Sequence, residues 1–229
     1  MSPAATAAAP PTGALSTSYV RFETRQDRPR FLAQCYAEAL RPADAPVRVL
    51  DVGCDKAVLR EFCPPGSYVG IDLSPEADVR QDLQADGRLP FPDRSFDTVT
   101  CTDVLEHLEN LHQVFDECVR VTRTHLLITL PNNWNSARQR LRRGRGAIAH
   151  YGLPLERPVD RHRWFFSFSE AEGFLRGQAA RHGLEIRELR ALEKPRPALV
   201  RAARNLFTPD RERYRNLYAH TLACLYRRP

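Results

Sequence analysis

The chain has 229 residues, 42% hydrophobic and 27% charged. That is enough apolar material for one large α/β domain and too much for a disordered polyelectrolyte. Basic residues number 34 against 28 acidic, a formal charge of +6, yet only Lys56 and Lys194 are lysines, a bias that reads as coding composition rather than as a polyanion-binding device. No run approaches the roughly 20 apolar residues of a membrane helix. The cysteines (Cys35, Cys54, Cys63, Cys101, Cys118 and Cys224) include no C-x-x-C pair, so neither a zinc cluster nor a disulfide framework is indicated and no metal ligands are assigned. Free thiols, and an N-terminus without a charged n-region or long apolar h-region, point to the cytoplasm.

Residues 1–17, rich in Ala, Pro, Thr and Ser and without periodicity, are expected to form a disordered tail, leaving 18–229 as one domain. Between Tyr19 and Leu40, the residues Phe31, Leu32, Cys35, Tyr36 and Leu40 recur at helical spacing. Residues 47–53 form a short buried strand ending in Gly53, and a helix is expected from there to Phe62, stopped by Pro64-Pro65-Gly66. A second strand covers 68–72, with an acid at its C-terminal end, and a weaker third covers 78–82. The fourth strand, 96–101, is followed by the helical stripe Val104, Leu108, Leu111, Phe115 and Cys118. The fifth, 125–130, stops at Pro131. This alternation predicts βαβ units and a parallel sheet. The polar, arginine-rich and then aromatic stretch 132–168 is too long for an ordinary connection and reads as an insertion or lid. Helical spacing resumes over 167–182 with Ser167 or Ser169 as N-cap, and 184–189 and 217–226 read as the last strands.

A strand ending in a glycine turn, followed about 20 residues on by a strand ending in an acid, suits a nucleoside cofactor whose ribose hydroxyls the acid can accept. Asp51 and Asp72 stand at those two strand ends. A dinucleotide is disfavoured because Gly53-Cys54-Asp55-Lys56-Ala57-Val58 keeps only the first glycine of G-x-G-x-x-G, and because Asp51 would repel a pyrophosphate. Leu50-Asp51-Val52-Gly53-Cys54, Gly70-Ile71-Asp72-Leu73-Ser74, Leu89-Pro90-Phe91-Pro92-Asp93-Arg94-Ser95-Phe96-Asp97 and Val104-Leu105-Glu106-His107 occur in one order. With them the chain resembles the class I methyltransferases that use S-adenosylmethionine (SAM), over about 47–135.

The resemblance implies a Rossmann-like α/β fold, a mostly parallel seven-stranded sheet with helices on both faces, and SAM as cofactor. It further implies that Asp51, Gly53 and Cys54 surround the methionine part of SAM, Asp72 the ribose and Leu73 the adenine. Asp82 would meet the adenine amino group with Leu83 beside it, and Thr102 and Asp103 would face the sulfonium. The chain departs from the family where Asp55 and Ala57 replace two further glycines. Asp tolerates positive φ and Ala adds one methyl group, so a reshaped, working loop is expected.

Methyl transfer needs in-line positioning more than a nucleophilic residue. A base matters when the acceptor is a hydroxyl, and His107, following the fourth strand at the ligand edge, is the candidate; Asp103 is a second, and His162 in the insertion a third. Acceptor choice belongs to 132–168, where His150, Tyr151, Asp160, Arg161, His162, Arg163, Trp164, Phe165 and Phe166 cluster. The expected acceptor is a small molecule, lipid-linked or glycan-related, methylated at oxygen. A nucleic-acid acceptor is disfavoured: Thr102-Asp103-Val104-Leu105 stands where base methyltransferases carry Asn/Asp-Pro-Pro-aromatic. The competing readings are a non-catalytic binding protein of the same fold and an RNA methyltransferase using Arg138, Arg140, Arg142, Arg143 and Arg145, with a nicotinamide-dependent dehydrogenase last. The oligomeric state is not legible.

Overall fold

The computed structural model describes residues 13–24, 26–42, 46–156, 158 and 160–229. In chain order the strands are β1 (Leu15–Tyr19), β2 (Val49–Val52), β3 (Tyr68–Asp72), β4 (Val79–Arg80), β5 (Phe96–Thr102), β6 (Thr122–Pro131), β7 (Glu185–Glu193) and β8 (Ala219–Arg227). The helices are α1 (Asp27–Cys35), α2 (Ala37–Leu40), α3 (Leu111–Val121), α4 (Asn133–Arg143), α5 (Phe168–His182), α6 (Ala198–Phe207) and α7 (Arg211–Tyr218).

All residues of β2 are buried, as expected of a strand covered on both faces. It pairs in parallel with β3 and β5, and the sheet runs β1-β7-β8-β6-β5-β2-β3-β4. Only β8 is antiparallel to its neighbours, β6 and β7. One face is filled by α3 and α5, whose Val114, Phe115, Phe168 and Leu175 join Leu50, Val52, Val99 and Ile128 in the main core. Smaller clusters, Ala33 and Leu40 with Val49 and Leu59, and Leu32 and Tyr36 with Leu127 and Ala223, seat α1 and α2 on the other face.

The sheet has eight strands where seven were expected. The extra one, β1, lies in the segment read as a tail. Its side chains are mostly small and polar, so the sequence carries no apolar alternation there; β7 supplies the register, from Leu15 opposite Leu189 to Tyr19 opposite Glu193. Residues 1–12 of that tail lie outside the described residues.

The expected helix reaching Phe62 is only a short 3-10 segment, Val58–Phe62, because Asp55 (φ 45°) and Ala57 (φ 51°) hold left-handed backbone just before it. The first helix starts at Asp27 rather than near Tyr19 and is interrupted at Tyr36, whose φ of −118° and ψ of 34° are not helical. The third strand shrinks to Val79–Arg80. The last strand begins at Ala219, since Leu217 and Tyr218 belong to α7. Among the described residues no helix is long and apolar enough to cross a membrane.

The 132–168 stretch opens with the regular helix α4. Asn132 is fully buried and caps α4 by accepting from Asn135 N at 3.4 Å. Its Nδ2 donates to the carbonyls of Asn216 (2.9 Å) and Ala219 (2.8 Å). One side chain thus ties the C-terminal end of β6 to the start of β8. The parallel strands all end on this side, so Gly53, Asp72, Asp103 and Asn132 are delivered to one edge, where open α/β sheets bind ligands.

Ser167 caps α5 reciprocally: its hydroxyl accepts from Glu170 N at 3.2 Å and its N–H donates to Glu170 Oε2 at 2.7 Å. Ser167→Ala is expected to destabilise the fold by about 1 kcal/mol. Chemical denaturation should show a lower midpoint at unchanged slope; an unmoved midpoint would mean that α5 is held by its packed face alone.

Candidate functional site

The turn after β2 brings main chain, rather than side chains, to the rim of a cavity. Gly53 sits at φ +74°, and a Cβ there would come within 2.3 Å of Val104 Cγ2. Only glycine lets the turn pass this close to the segment after β5. Asp55 and Ala57 hold the left-handed geometry that a glycine would take without strain, at a cost of roughly 1–2 kcal/mol each. The loop is nonetheless anchored: Gly53 N donates to Ile71 O at 2.8 Å, and Asp55 N donates to Asp72 Oδ2 at 3.1 Å. Asp72 Oδ1 accepts from Ser74 N at 2.9 Å, so main-chain donors aim this carboxylate across the end of β3.

Asp51 is 5% exposed and accepts from Tyr68 Oη at 2.8 Å and Thr100 Oγ1 at 2.7 Å. Both donors are neutral. Burial therefore dominates and pushes the carboxyl up to about 6, against the lowering effect of the two hydroxyls. Burial, and after it the charge of Asp51, pushes the thiol of Cys54 up to about 12.

At the far end of the cavity Asp103, in left-handed backbone (φ 53°), is held by Arg28 from α1, with Nη2 2.7 Å from Oδ2, and by Thr129 Oγ1, which donates to Oδ1 at 2.5 Å. The next turn carries Glu106, 1% exposed, its pKa raised well above the ordinary value chiefly by burial and next by the charge of Asp103. His107 gives Nδ1 to Asp160 Oδ1 at 2.8 Å and keeps Nε2 at 3.8 Å from Glu106 Oε1. Its pKa is lowered, burial outweighing Asp160. His162 is lowered to about 4, by burial first and then by His107 and His150. Both imidazoles are neutral at pH 7. His162 packs edge-on to His107, with centroids 4.5 Å apart, and face-to-face on His150 at 4.4 Å.

The insertion is docked on this turn. Glu106 O accepts from Arg163 N at 2.7 Å, Leu108 O from Trp164 Nε1 at 2.7 Å, and Asn133 bridges His162 Nδ1 (3.2 Å) and Phe166 N (3.1 Å). Tyr151 Oη donates to Trp164 O at 2.5 Å and lies 3.1 Å from His162 Nδ1. Arg161 is spent on the carbonyls of Gly152 and Tyr151.

The cavity is about 800 Å³, within the range of small-ligand sites. Of the residues singled out from sequence, Asp51, Gly53, Cys54, Asp72, Leu73, Asp82, Leu83, Thr102, Asp103 and His107 all line it. His162 does not; it stands behind His107. Asp82 lies past the end of β4 and closes a turn by accepting from Gln84 N at 2.9 Å. Sequence reasoning missed Arg28, Glu106 and Asn133 as site residues and named Asp160 only within the insertion's cluster. Glu106 stood inside a quoted motif, but Arg28 reaches the site from a remote segment and carries no local signal.

Residues 24–189 match the profile of a family described as a methyltransferase domain. No curated protein matches the chain. Among solved structures, a SAM-dependent methyltransferase from Archaeoglobus fulgidus is 15% identical, with 90% of this chain and 96% of that one covered at a TM-score of 0.57. Magnesium protoporphyrin IX methyltransferase from Synechocystis, solved with bound S-adenosylhomocysteine, is 17% identical, covering 93% and 90% at 0.53. The cyclase SpnF is 20% identical, covering 94% and 88% at 0.55.

Because the Asp51 carboxyl is raised from 3.8 to about 6, the fold favours its protonated form. That stability is fully present below about 3.8 and is lost as pH rises through about 6, a difference on the order of 2–3 kcal/mol by pH 8. Asp51→Asn is therefore expected to raise the thermal midpoint more at pH 8 than at pH 5. An equal change at both would show that lost hydrogen bonds, not charge, decide the outcome.

Proposed function

The chain belongs to the methyltransferase domain family and is a SAM-dependent methyltransferase, and on that premise we propose that it methylates an oxygen of a small-molecule, lipid-linked or glycan-related acceptor. The observation that carries this reading is the polarity of one cavity, with carboxylates on a main-chain turn at one end and, at the other, the half-buried His107 backed by His162. When bound, the cofactor supplies an electrophilic methyl group on a sulfonium.

Asp51 fits the ammonium of the methionine part, since a buried carboxylate held only by hydroxyls gains most from a cation. Gly53 and Cys54 let that part approach the backbone. Asp72, its carboxylate aimed by Asp55 N and Ser74 N, takes the ribose hydroxyls. Leu73, Asp82 and Leu83 flank the adenine, and Asp82 accepts from its amino group. Thr102 and Asp103 face the sulfonium. The ion pair with Arg28 makes Asp103 an orienting group rather than a base.

His107 stands against the reacting oxygen. With Nδ1–H bonded to Asp160, its Nε2 carries a lone pair able to accept the hydroxyl proton. His162, packed behind it, positions the ring and touches the acceptor only through it. The strained Asp55 and Ala57 reshape the turn without closing the cavity, which favours turnover over a purely binding role. An RNA acceptor has one observation in its favour: Arg140, Arg142 and Arg143 stand exposed on α4 at the same edge. RNA binding that weakens steeply with salt would support that reading.

Calorimetric titration with S-adenosylhomocysteine tests the cofactor end. Asp72→Ala should lose at least about tenfold in affinity while keeping its circular dichroism, in line with two or more lost hydrogen bonds to a charged group. Wild-type affinity should also fall as pH drops below about 6, where Asp51 takes up a proton. A flat pH profile would remove Asp51 from the ammonium site. With an acceptor found by screening phenols and sugar conjugates, His107→Ala should lower kcat by about 10²–10⁴ and leave S-adenosylhomocysteine affinity within about threefold. Equal losses in both would make His107 structural.

A further inference from the structure

Glu106 is the least explained residue in the protein. It is 1% exposed, and its Oε2 is buried with no hydrogen-bond partner. Leaving a carboxyl oxygen unmatched in the interior is costly, and such a group calls for a specific reason. Around it stand two imidazoles. One ligand atom each from Glu106, His107 and His162 lie within 4.8 Å of one another.

We propose that Glu106, His107 and His162 hold one divalent transition-metal ion at the acceptor end of the cavity. Two imidazoles and one carboxylate form a donor set suited to Zn²⁺ and its first-row neighbours and poorly suited to Mg²⁺ or Ca²⁺. Ligands about 2.0–2.1 Å from a tetrahedral Zn²⁺ lie about 3.4 Å apart. His107 Nε2 and Glu106 Oε1, now 3.8 Å apart, therefore need only a small contraction, and no pair needs more than about 1.4 Å.

The surroundings are those of a metal site. Metal-bound histidines almost always give their second nitrogen to a carboxylate or another acceptor, which fixes the tautomer. Asp160 does this for His107, at 2.8 Å from Nδ1. Tyr151 can do it for His162: its own hydrogen goes to Trp164 O, so its oxygen is left to accept from His162 Nδ1 at 3.1 Å. That tautomer gives up the contact with Asn133 Nδ2 and frees the other ring nitrogen. The peptide carrying His162 is clamped to the Glu106 turn by Arg163 N, so ligands remote in sequence are held together before any ion arrives.

Three protein ligands leave at least one position open, and His107, which lines the cavity, turns that position toward it. The inference rests on the proposed function only for the identity of the group that fills this position, the acceptor hydroxyl. On binding the ion, the hydroxyl loses its proton to water. The resulting oxyanion forms the O–C bond as the C–S bond breaks, and the sulfonium leaves as a neutral thioether. The Nε2 lone pair, free for a proton when the site is empty, is then committed to the ion.

The experiment uses the full chain stripped with a chelator and titrated with Zn²⁺ by calorimetry and with Co²⁺ by visible absorption. One equivalent of either ion is expected, with a Co²⁺ d–d band of low-symmetry coordination. His162→Asn and Glu106→Gln should each weaken binding at least tenfold; two variants are used so that misfolding of one, read by circular dichroism, leaves the other to decide. S-adenosylhomocysteine is titrated into the same samples and should bind all of them. Retained nucleoside binding without saturable Zn²⁺ overturns the metal site while leaving the cofactor reading intact. Zn²⁺ binding undiminished in both variants also overturns it, by placing the ion elsewhere.

Discussion

A carboxylate buried at the end of the central strand governs the layout of the protein. Asp51 is placed where β2 gives way to the glycine turn, and the fold surrounds it with hydroxyls rather than a cation. The charge is therefore left for a ligand to complete. Burying it weakens the empty fold, and the surrounding packing must absorb that. β2 is buried throughout, and the core spanning β2, β3, β5 and β6 is continuous with α3 and α5. The same packing fixes Gly53 against Val104, so the turn cannot relax away from the cavity to spare Asp51 its desolvation.

The parallel sheet and the cofactor end were legible in the sequence because they rest on local patterns. Buried parallel strands read as apolar runs, and the turn glycine and strand-end acids lie a few residues from the strands that position them. Elements whose stability comes from remote partners were not legible. β1 is a polar edge strand whose register belongs to β7. In α6 no residue is buried, and Leu199, Leu206 and Phe207 face solvent, so its apolar spacing maps to no core face. At the loop after β2 the local pattern misled differently: helical spacing was present, but two left-handed residues delay the helix and reduce it to 3-10.

The acceptor end shows the same division. His107 follows a strand by a few residues and could be singled out, and His162 stood out by its aromatic neighbours. Their juxtaposition could not be foreseen, because it depends on Asn133 and on the main-chain bonds that return the insertion to the Glu106 turn. Asp160, which aligns His107 and lies 3.3 Å from His150 Nδ1, stands in the insertion's cluster, but nothing local pairs it with His107. Arg161 turns back to the loop's own carbonyls.

These bonds bear on how the site works. The insertion reads in sequence as a lid, yet its aromatic end is tied down by a tryptophan N–H, a tyrosine hydroxyl and two main-chain donors, and Phe166 packs on the core. Such a segment has already lost much of the conformational freedom that a mobile lid would keep. The freedom that remains lies at the other rim. There Asp55 and Ala57 hold strained backbone. The two ends of the cavity thus differ in kind. The histidine end is held by main-chain hydrogen bonds and by the carboxylates of Asp103 and Asp160, each with its own partner. The glycine-turn end carries the buried Asp51 carboxyl among hydroxyls and the strained Asp55 and Ala57.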